Sequence, residues 1–340
     1  MFRFNCDYLE GAHPRIMERL MQTNTEQTVG YGMDEYTASA KEKIRKACEC
    51  EGAAVYFLVG GTQTNAVVLD ALLHGYEGVM AADTGHVSLH EAGAIEYTGH
   101  KVITVPAVDG KITAESAREY LVRFYQDVWT HMVRPGAIYI SHPSEYGTLY
   151  TEAELRALRE VCDEYGMRLY LDGARLGFGL MAEGTDVTLP VIAKYCDAFC
   201  IGGTKVGALF GEAAVFPRGE DVPHFFTQIK QHGALLAKGR LLGLQFDTLF
   251  TDGLYFSIAK KAVCQAMRIR RAFEEKGYRV YIDSRTNQQF FLVSEEKLRE
   301  ILTKVVVDDW GPVEDGSRLI RVTTGWATAD EAIDCLIAAL

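Results

Sequence analysis

No run of apolar residues in this 340-residue chain reaches the length needed to span a bilayer, and its amino terminus lacks the basic and apolar segments of a secretion signal. The expectation is a cytoplasmic protein with no membrane partner. Dense basic runs are also missing, and 35 Lys+Arg against 46 Asp+Glu leave a formal net charge of -11. That argues against nucleic acid as a partner and makes any anionic cofactor depend on local positive groups. The eight cysteines form no C-x-x-C pair, so neither a disulfide framework nor structural zinc is expected. The chain contains no Walker lysine motif, no G-x-G-x-x-G, no H-E-x-x-H, no internal repeat and no low-complexity tract.

What is present is alternation. From Ala53–Val59 onward, apolar runs that read as strands exchange with amphipathic stretches that read as helices: Thr62–Leu73, Gly78–Ala82, Ser88–Ile95, Lys101–Pro106, Thr113–Asp127, Ala137–Ser141, Thr151–Tyr165, Arg168–Leu171 and Ala198–Ile201. Such a pattern predicts an α/β domain with a largely parallel sheet covered on both faces. Thr151-Glu152-Ala153-Glu154 and Thr328-Ala329-Asp330-Glu331 have the spacing of helix-starting capping boxes. After Gly243–Asp252 the pattern changes to a long helix, Leu254–Lys276, and strands near Arg279–Asp283, Gln289–Val293 and Leu319–Thr323. These predict a smaller α+β carboxy-terminal domain. Ahead of the alternation, Val29-Gly30-Tyr31-Gly32-Met33-Asp34 suits a ligand-facing loop.

Two apolar runs end abruptly in reactive side chains among glycines. Leu169-Tyr170-Leu171-Asp172-Gly173-Ala174-Arg175 places a carboxylate at a strand tip, and Cys200-Ile201-Gly202-Gly203-Thr204-Lys205-Val206-Gly207 places an amine at another. A buried lysine can take an aldehyde as a Schiff base, and an aspartate facing a pyridine nitrogen keeps it protonated. This pairing is the pattern of a pyridoxal 5'-phosphate site. Gly60-Gly61-Thr62, between a strand and a helix, supplies free N–H groups suited to a phosphate, although such turns also serve structure alone. Arg175 is placed to fork onto an α-carboxylate, and Arg321, interrupting an apolar strand, is either paired within the fold or aimed at an anion. His86 and His90 would share a helix face, but no third metal ligand is evident. His86 is read as an aromatic plate over the cofactor ring and a potential proton handler, with an ordered water and the cofactor phosphate as the other candidate bases, or else as a structural histidine.

Taken together, Phe4-Asn5-Cys6-Asp7, Tyr31-Gly32, Gly60-Gly61-Thr62, His86, Asp172-Gly173-Ala174-Arg175, Lys205 and Arg321-Val322-Thr323 resemble the low-specificity L-threonine aldolases, which belong with the β-eliminating lyases among fold type I pyridoxal-phosphate enzymes. The resemblance covers effectively the whole chain. It implies a large domain with a mostly parallel seven-stranded sheet plus a smaller α+β carboxy-terminal domain, divided here as an arm at 1–50, a cofactor domain at 51–245 and a small domain at 246–340. It implies Lys205 as the Schiff-base lysine, Asp172 as partner of the pyridine nitrogen and His86 as the stacking ring. Gly61 and Thr62 match the phosphate turn, with Gly60, Thr204 and Arg175 also binding cofactor, and Cys6, Tyr31, Arg175 and Arg321 go to the substrate. Lys238 and Arg240 match residues that reach a neighbouring subunit's phosphate, implying a homodimer or homotetramer with active sites at the subunit interface.

The implied reaction is retro-aldol cleavage of a β-hydroxy-α-amino acid. The alternatives are β-elimination to a 2-oxo acid and ammonia, or a catalytically silent binding or assembly protein. Two departures bear on specificity: Cys6 stands where the family usually has serine, and Ile140-Ser141-His142-Pro143-Ser144-Glu145 stands where its best-known members carry Asn-Thr-His, so His142 is near but not equivalent.

Overall fold

A computed structural model describes residues 1–219 and 222–340. The two-residue strand β1 (Phe2–Arg3) lies apart from a seven-stranded sheet built by β2 (Ala54–Leu58), β3 (Glu77–Ala82), β4 (Val102–Val105), β5 (Arg134–Ser141), β6 (Arg168–Asp172), β7 (Ala198–Gly202) and β8 (Glu212–Phe216). Its order is β2-β8-β7-β6-β5-β3-β4. Every pairing from β7 to β4 is parallel, whereas β8 runs antiparallel to both β2 and β7. The sequence reading did not include β8. Its five residues, Glu-Ala-Ala-Val-Phe, are too small-residue-rich to announce a strand, yet all five are buried.

The central strands read as unbroken apolar runs because both faces are covered. Met80, Ile138, Ile140, Leu169, Leu171, Phe199 and Ile201 pack into one core layer. Val79, Ala137, Tyr139, Tyr170, Ala198 and Ala214 pack into the other, against the helix Gly61–Leu72.

Beyond the long helix Leu254–Glu275, β9 (Arg279–Val280), β10 (Gln288–Val293), β12 (Asp308–Pro312) and β13 (Arg318–Thr323) form a four-stranded antiparallel sheet, and β11 (Val305–Val306) pairs in parallel with β1. The rings of Phe273 and Phe291 stack 3.7 Å apart at the centre of this layer. Phe4, fully buried there, receives and donates one backbone bond each, from Thr323 N (2.8 Å) and to Val306 O (2.7 Å). That docking carries the next residues, Asp7 and Tyr8, to the tips of the large sheet.

Thr151 forms the expected capping box with Glu154. The second expected box does not form. Ala329 is the N-cap of the last helix and its methyl group offers no acceptor, while the Thr328 hydroxyl is used by the Gly325 N–H at 2.8 Å. Among the described residues no helix is long and apolar enough to cross a membrane.

Candidate active site

Strand register assembles the acidic end of the site. Tyr139 pairs with Tyr170 and Ser141 with Asp172 across β5 and β6, so the two-residue pleat puts all four side chains on one face at the carboxyl ends of the strands. Asp172 is 4% exposed. It accepts hydrogen bonds from Asn65 Nδ2 (2.8 Å), the Tyr139 hydroxyl (2.7 Å), the Ala174 N–H (2.9 Å) and Cys200 Sγ (3.4 Å). Burial favours the neutral acid, but the His86 charge and these donors outweigh it and hold the carboxyl below its ordinary range. Asn65 is itself fixed, since its Oδ1 accepts from the Tyr170 hydroxyl at 2.8 Å and its Nδ2 also reaches Glu91 at 2.7 Å.

His86 begins a helix of only four residues, with exposed His90 as its C-cap and the two ring centroids 5.7 Å apart. Its Nδ1 lies 2.7 Å from Glu91 Oε1. Burial favours the neutral ring, yet the Glu91 hydrogen bond and the charges of Asp172 and Glu91 prevail, so the ring holds its proton more tightly than in water. One Glu91 oxygen thus ties His86 to Asn65, and through Asn65 to Asp172.

Close backbone approach sets the amine. Gly202 N donates to Gly173 O at 2.9 Å, and a Cβ at Gly202 would lie 2.3 Å from Ala174 O, while one at Gly173 would lie 2.1 Å from Cys200 O. Only glycine fits at either tip. Tyr255, reaching from the long helix, donates to Gly202 O and accepts from Gly177 N, both at 3.0 Å. Lys205 follows, with its amine over the Tyr8 ring at 5.9 Å. Burial and the Arg175 charge push its proton off, against the opposing pull of Asp7, Glu212 and Asp172. A more readily neutral amine is a better nucleophile.

Glu212, the first residue of β8, is 3% exposed and its Oε2 has no hydrogen-bond partner among the described residues. Burial pushes its carboxyl up to about 8, with partial relief from the Lys205 charge and the Thr204 hydroxyl. The folded protein therefore holds a proton that the unfolded chain has released. The stability this group contributes is complete at low pH and is lost as pH rises from the ordinary carboxylate range, about 4.3, through the folded value. Glu212→Gln is neutral throughout and should flatten that decline. Its thermal midpoint is expected to fall several degrees less than wild type between about pH 5 and about pH 9, as read by melting curves.

The opposite wall is cationic. Arg175 does not present a free fork, because its Nε (2.7 Å) and one Nη (3.0 Å) bind the two oxygens of Asp7, which is fully buried and also accepts from Asn287 at 2.9 Å. The sequence reading aims this fork at a substrate α-carboxylate, and in the folded chain a buried carboxylate 168 residues away takes Nε and one Nη. Arg321 donates to Asp308 (2.7 Å), Gln288 (3.0 Å) and Asn5 O (3.3 Å), and lies over the Trp310 ring. Burial and the charge of Arg175 both disfavour its cationic form. An anion bound between the two arginines would relieve both effects.

A cavity of about 520 Å³ joins these parts, lined by Tyr8, His86, Glu145, Arg175, Lys205 and Arg321 among others, and an inner recess of about 40 Å³ continues to Gly61 and Asp172. The helix Gly61–Leu72 starts there without a side-chain cap on Gly60, and a Cβ at Gly60 or Gly61 would meet nothing within 4 Å. Uncapped N–H groups facing open space, a buried carboxylate and a partly buried amine fit an aromatic aldehyde that bears a phosphate.

Not every predicted residue converges. Cys6 lies between Asn5 and Asp7 but is not among the cavity's lining residues. Exposed Thr62 lies in the first helical turn, and Thr204 Oγ1 accepts from Gly211 N at 3.0 Å. Tyr31 sits in a separate apolar pocket with Met33, Tyr56 and Phe226, its ring under Lys230. Lys238 is exposed, and Arg240 bonds its own chain at Thr23 and Glu26. Asn65, Tyr139, Glu91, Glu145 and Glu212 were not singled out by sequence. His142 is fully buried, with Nδ1 accepting from Tyr150 N at 3.3 Å, so it lies behind the site and not in it.

The beta-eliminating lyase model matches residues 4–300. The chain belongs to that family. It is 38% identical to Leishmania major threonine aldolase, whose solved structure superposes with a TM-score of 0.96 over 100% of this chain and 98% of that chain. The low specificity L-threonine aldolase of a Pseudomonas species is 30% identical over 305 residues, 89% of this chain and 87% of that protein. A double mutant of Thermus thermophilus aspartate aminotransferase, 16% identical, superposes with a TM-score of 0.72 over 100% of this chain and 92% of that one, which bears on the fold alone. The fold is that of the fold type I pyridoxal-phosphate enzymes, with a mostly parallel seven-stranded sheet and a separate small antiparallel sheet.

Proposed function

We propose that this protein is a pyridoxal 5'-phosphate-dependent aldolase that cleaves β-hydroxy-α-amino acids, with L-threonine and L-allo-threonine giving glycine and acetaldehyde. The observation that carries this reading is that Asp172 and Lys205 face one recess whose outer mouth is lined by two arginines. When bound, the cofactor supplies an aldehyde for an amine and a protonated ring that accepts the electron pair released at Cα. In this reading Lys205 holds that aldehyde, Asp172 faces the ring nitrogen and His86 covers the ring face. The turn Gly60-Gly61-Thr62 holds the phosphate, and Thr204 and Arg175 also bind cofactor. Arg321, with the Asp7-anchored Arg175 beside it, orients the substrate carboxylate so that the Cα–Cβ bond is the one that breaks.

The reading extends to Cys6 and Tyr31 as substrate-binding residues, to a cytoplasmic homodimer or homotetramer in which Lys238 and Arg240 reach a neighbouring subunit's phosphate, and to the three-part division at 1–50, 51–245 and 246–340. The test is acetaldehyde release from each substrate by cofactor-loaded protein in a coupled dehydrogenase assay. Absence of acetaldehyde with both would contradict it. Arg321→Ala should raise KM about tenfold to a hundredfold, the worth of a charged hydrogen bond of about 1.5–3 kcal/mol, with a smaller change in kcat. An unchanged KM would assign Arg321 to the fold through Asp308 and Gln288 alone.

A further inference from the structure

Four side chains line both the outer cavity and the inner recess: His86, Glu145, Arg175 and Lys205. Cleavage of a β-hydroxy amino acid needs a group there that takes the hydroxyl proton. Arg175 stays charged and is forked onto Asp7. Lys205 is assigned to the cofactor aldehyde. His86 has Nδ1 committed to Glu91 and holds its proton more tightly than a free imidazole, which suits a ring-covering cation better than a base.

Glu145 has the opposite character. Its Oε1 is fixed by two donors, Ser141 Oγ at 2.7 Å and the His86 N–H at 3.1 Å. Its Oε2 has no hydrogen bond among the described residues, although the side chain lines the cavity. The segment that carries it is tightly held. Ser144 N donates to Thr148 O (3.0 Å), Gly147 N donates to Ser144 O (2.9 Å) with Gly147 at φ +71, and the Thr148 hydroxyl donates to Asp109 O (2.7 Å). One oxygen is anchored by two donors and the other takes none from the described residues, in a side chain that lines both the cavity and its recess. Burial raises this carboxyl's affinity for a proton, against the pull of Ser141, its own backbone N–H and His86. A carboxylate so placed is a stronger base than one in water.

We propose that Glu145 is the catalytic base that takes the substrate's β-hydroxyl proton through Oε2. This rests on the aldolase reading above. The O–H bond breaks and its proton passes to Oε2, the O–H electron pair becomes the second C–O bond of the aldehyde, and the Cα–Cβ bond breaks with its pair left on Cα. A proton delivered to Cα then makes glycine, so the proton taken by Glu145 balances the one consumed there.

The experiment compares wild type, Glu145→Gln and Glu145→Asp, all loaded with cofactor, in two assays. One is cleavage of L-threonine. The other is exchange of the glycine Cα proton for deuterium, followed by proton NMR, with glycine affinity read from the change in cofactor absorbance. Glycine has no β-hydroxyl, so its exchange needs the cofactor and Lys205 but not Glu145. The glutamine variant keeps the oxygen that Ser141 and His86 bond, so the segment should stay in place. Expected for Glu145→Gln is a loss of threonine cleavage on the order of 10²–10⁴-fold, with glycine exchange and affinity within about threefold of wild type. Glu145→Asp, still a carboxylate but shorter, should fall between the two. Threonine cleavage retained in Glu145→Gln would overturn the proposal. So would a parallel loss of glycine exchange, which would make Glu145 a structural support for His86. Wild type that exchanges glycine but does not cleave threonine would instead remove the aldolase reading, and the proposal with it.

Discussion

Lys205→Ala is expected to reduce threonine cleavage by at least about 10³-fold, while the apoprotein keeps its circular dichroism and melts cooperatively. The argument is local. Among the described residues the Lys205 amine makes no hydrogen bond, and its one close partner is the Tyr8 ring. Burial and the Arg175 charge already oppose its cationic form. Removing it therefore deletes a nucleophile without leaving a donor stranded in the core. Visible absorbance of the bound cofactor should change character in the variant, because the covalent link is gone. Activity above about a tenth of wild type would remove Lys205 from the assignment.

Asp172→Asn is expected to lower kcat about 10²–10³-fold, the range seen when a preorganised electrostatic partner is deleted, and to weaken cofactor binding. Asparagine matches the shape, but its amide can no longer accept at both oxygens from Asn65, Tyr139, Ala174 and Cys200. At least one of these buried donors loses its acceptor, so the thermal midpoint should also drop by several degrees at neutral pH. The pH dependence separates this from a general packing defect. The folded-state carboxyl lies below its ordinary range, so its contribution to stability is present above the unfolded value and is lost as pH falls through the folded one. Wild type should lose stability on acidification faster than Asp172→Asn, and the two melting curves should converge at low pH. Equal cofactor affinity in the two proteins would mean that Asp172 does not face the ring.

How much of this was legible depends on how far apart the partners lie in the chain. The tips at Asp172 and Lys205 stand out because a buried strand carries a continuous apolar run, and a charged residue closing such a run is locally conspicuous. Asp7 and Arg175 could each be singled out, but nothing local says that one neutralises the other across 168 residues. The same holds for Asn65 and Asp172, 107 residues apart. Their link depends on the register of β6 and on which face of the helix Gly61–Leu72 meets it. Glu212 was missed for a different reason: it opens a strand whose alanines carry weak β preference, and it reads as a loop residue until pairing with β2 and β7 buries it. Tyr31 differs again: a glycine-flanked aromatic suggests a ligand-facing loop, and within this chain its ring rests under Lys230 in a pocket separate from that of Lys205. The second capping box failed because the Thr328 hydroxyl had a nearer partner in Gly325.

The most direct test of the central claim is the identity and stoichiometry of the products formed from L-threonine by the cofactor-loaded protein, with Lys205→Ala as control. Glycine and acetaldehyde in equal amounts, absent from the control, are the predicted result. 2-Oxobutanoate and ammonia, with no glycine, would contradict it and reassign the cavity of Lys205, Asp172 and the two arginines to β-elimination.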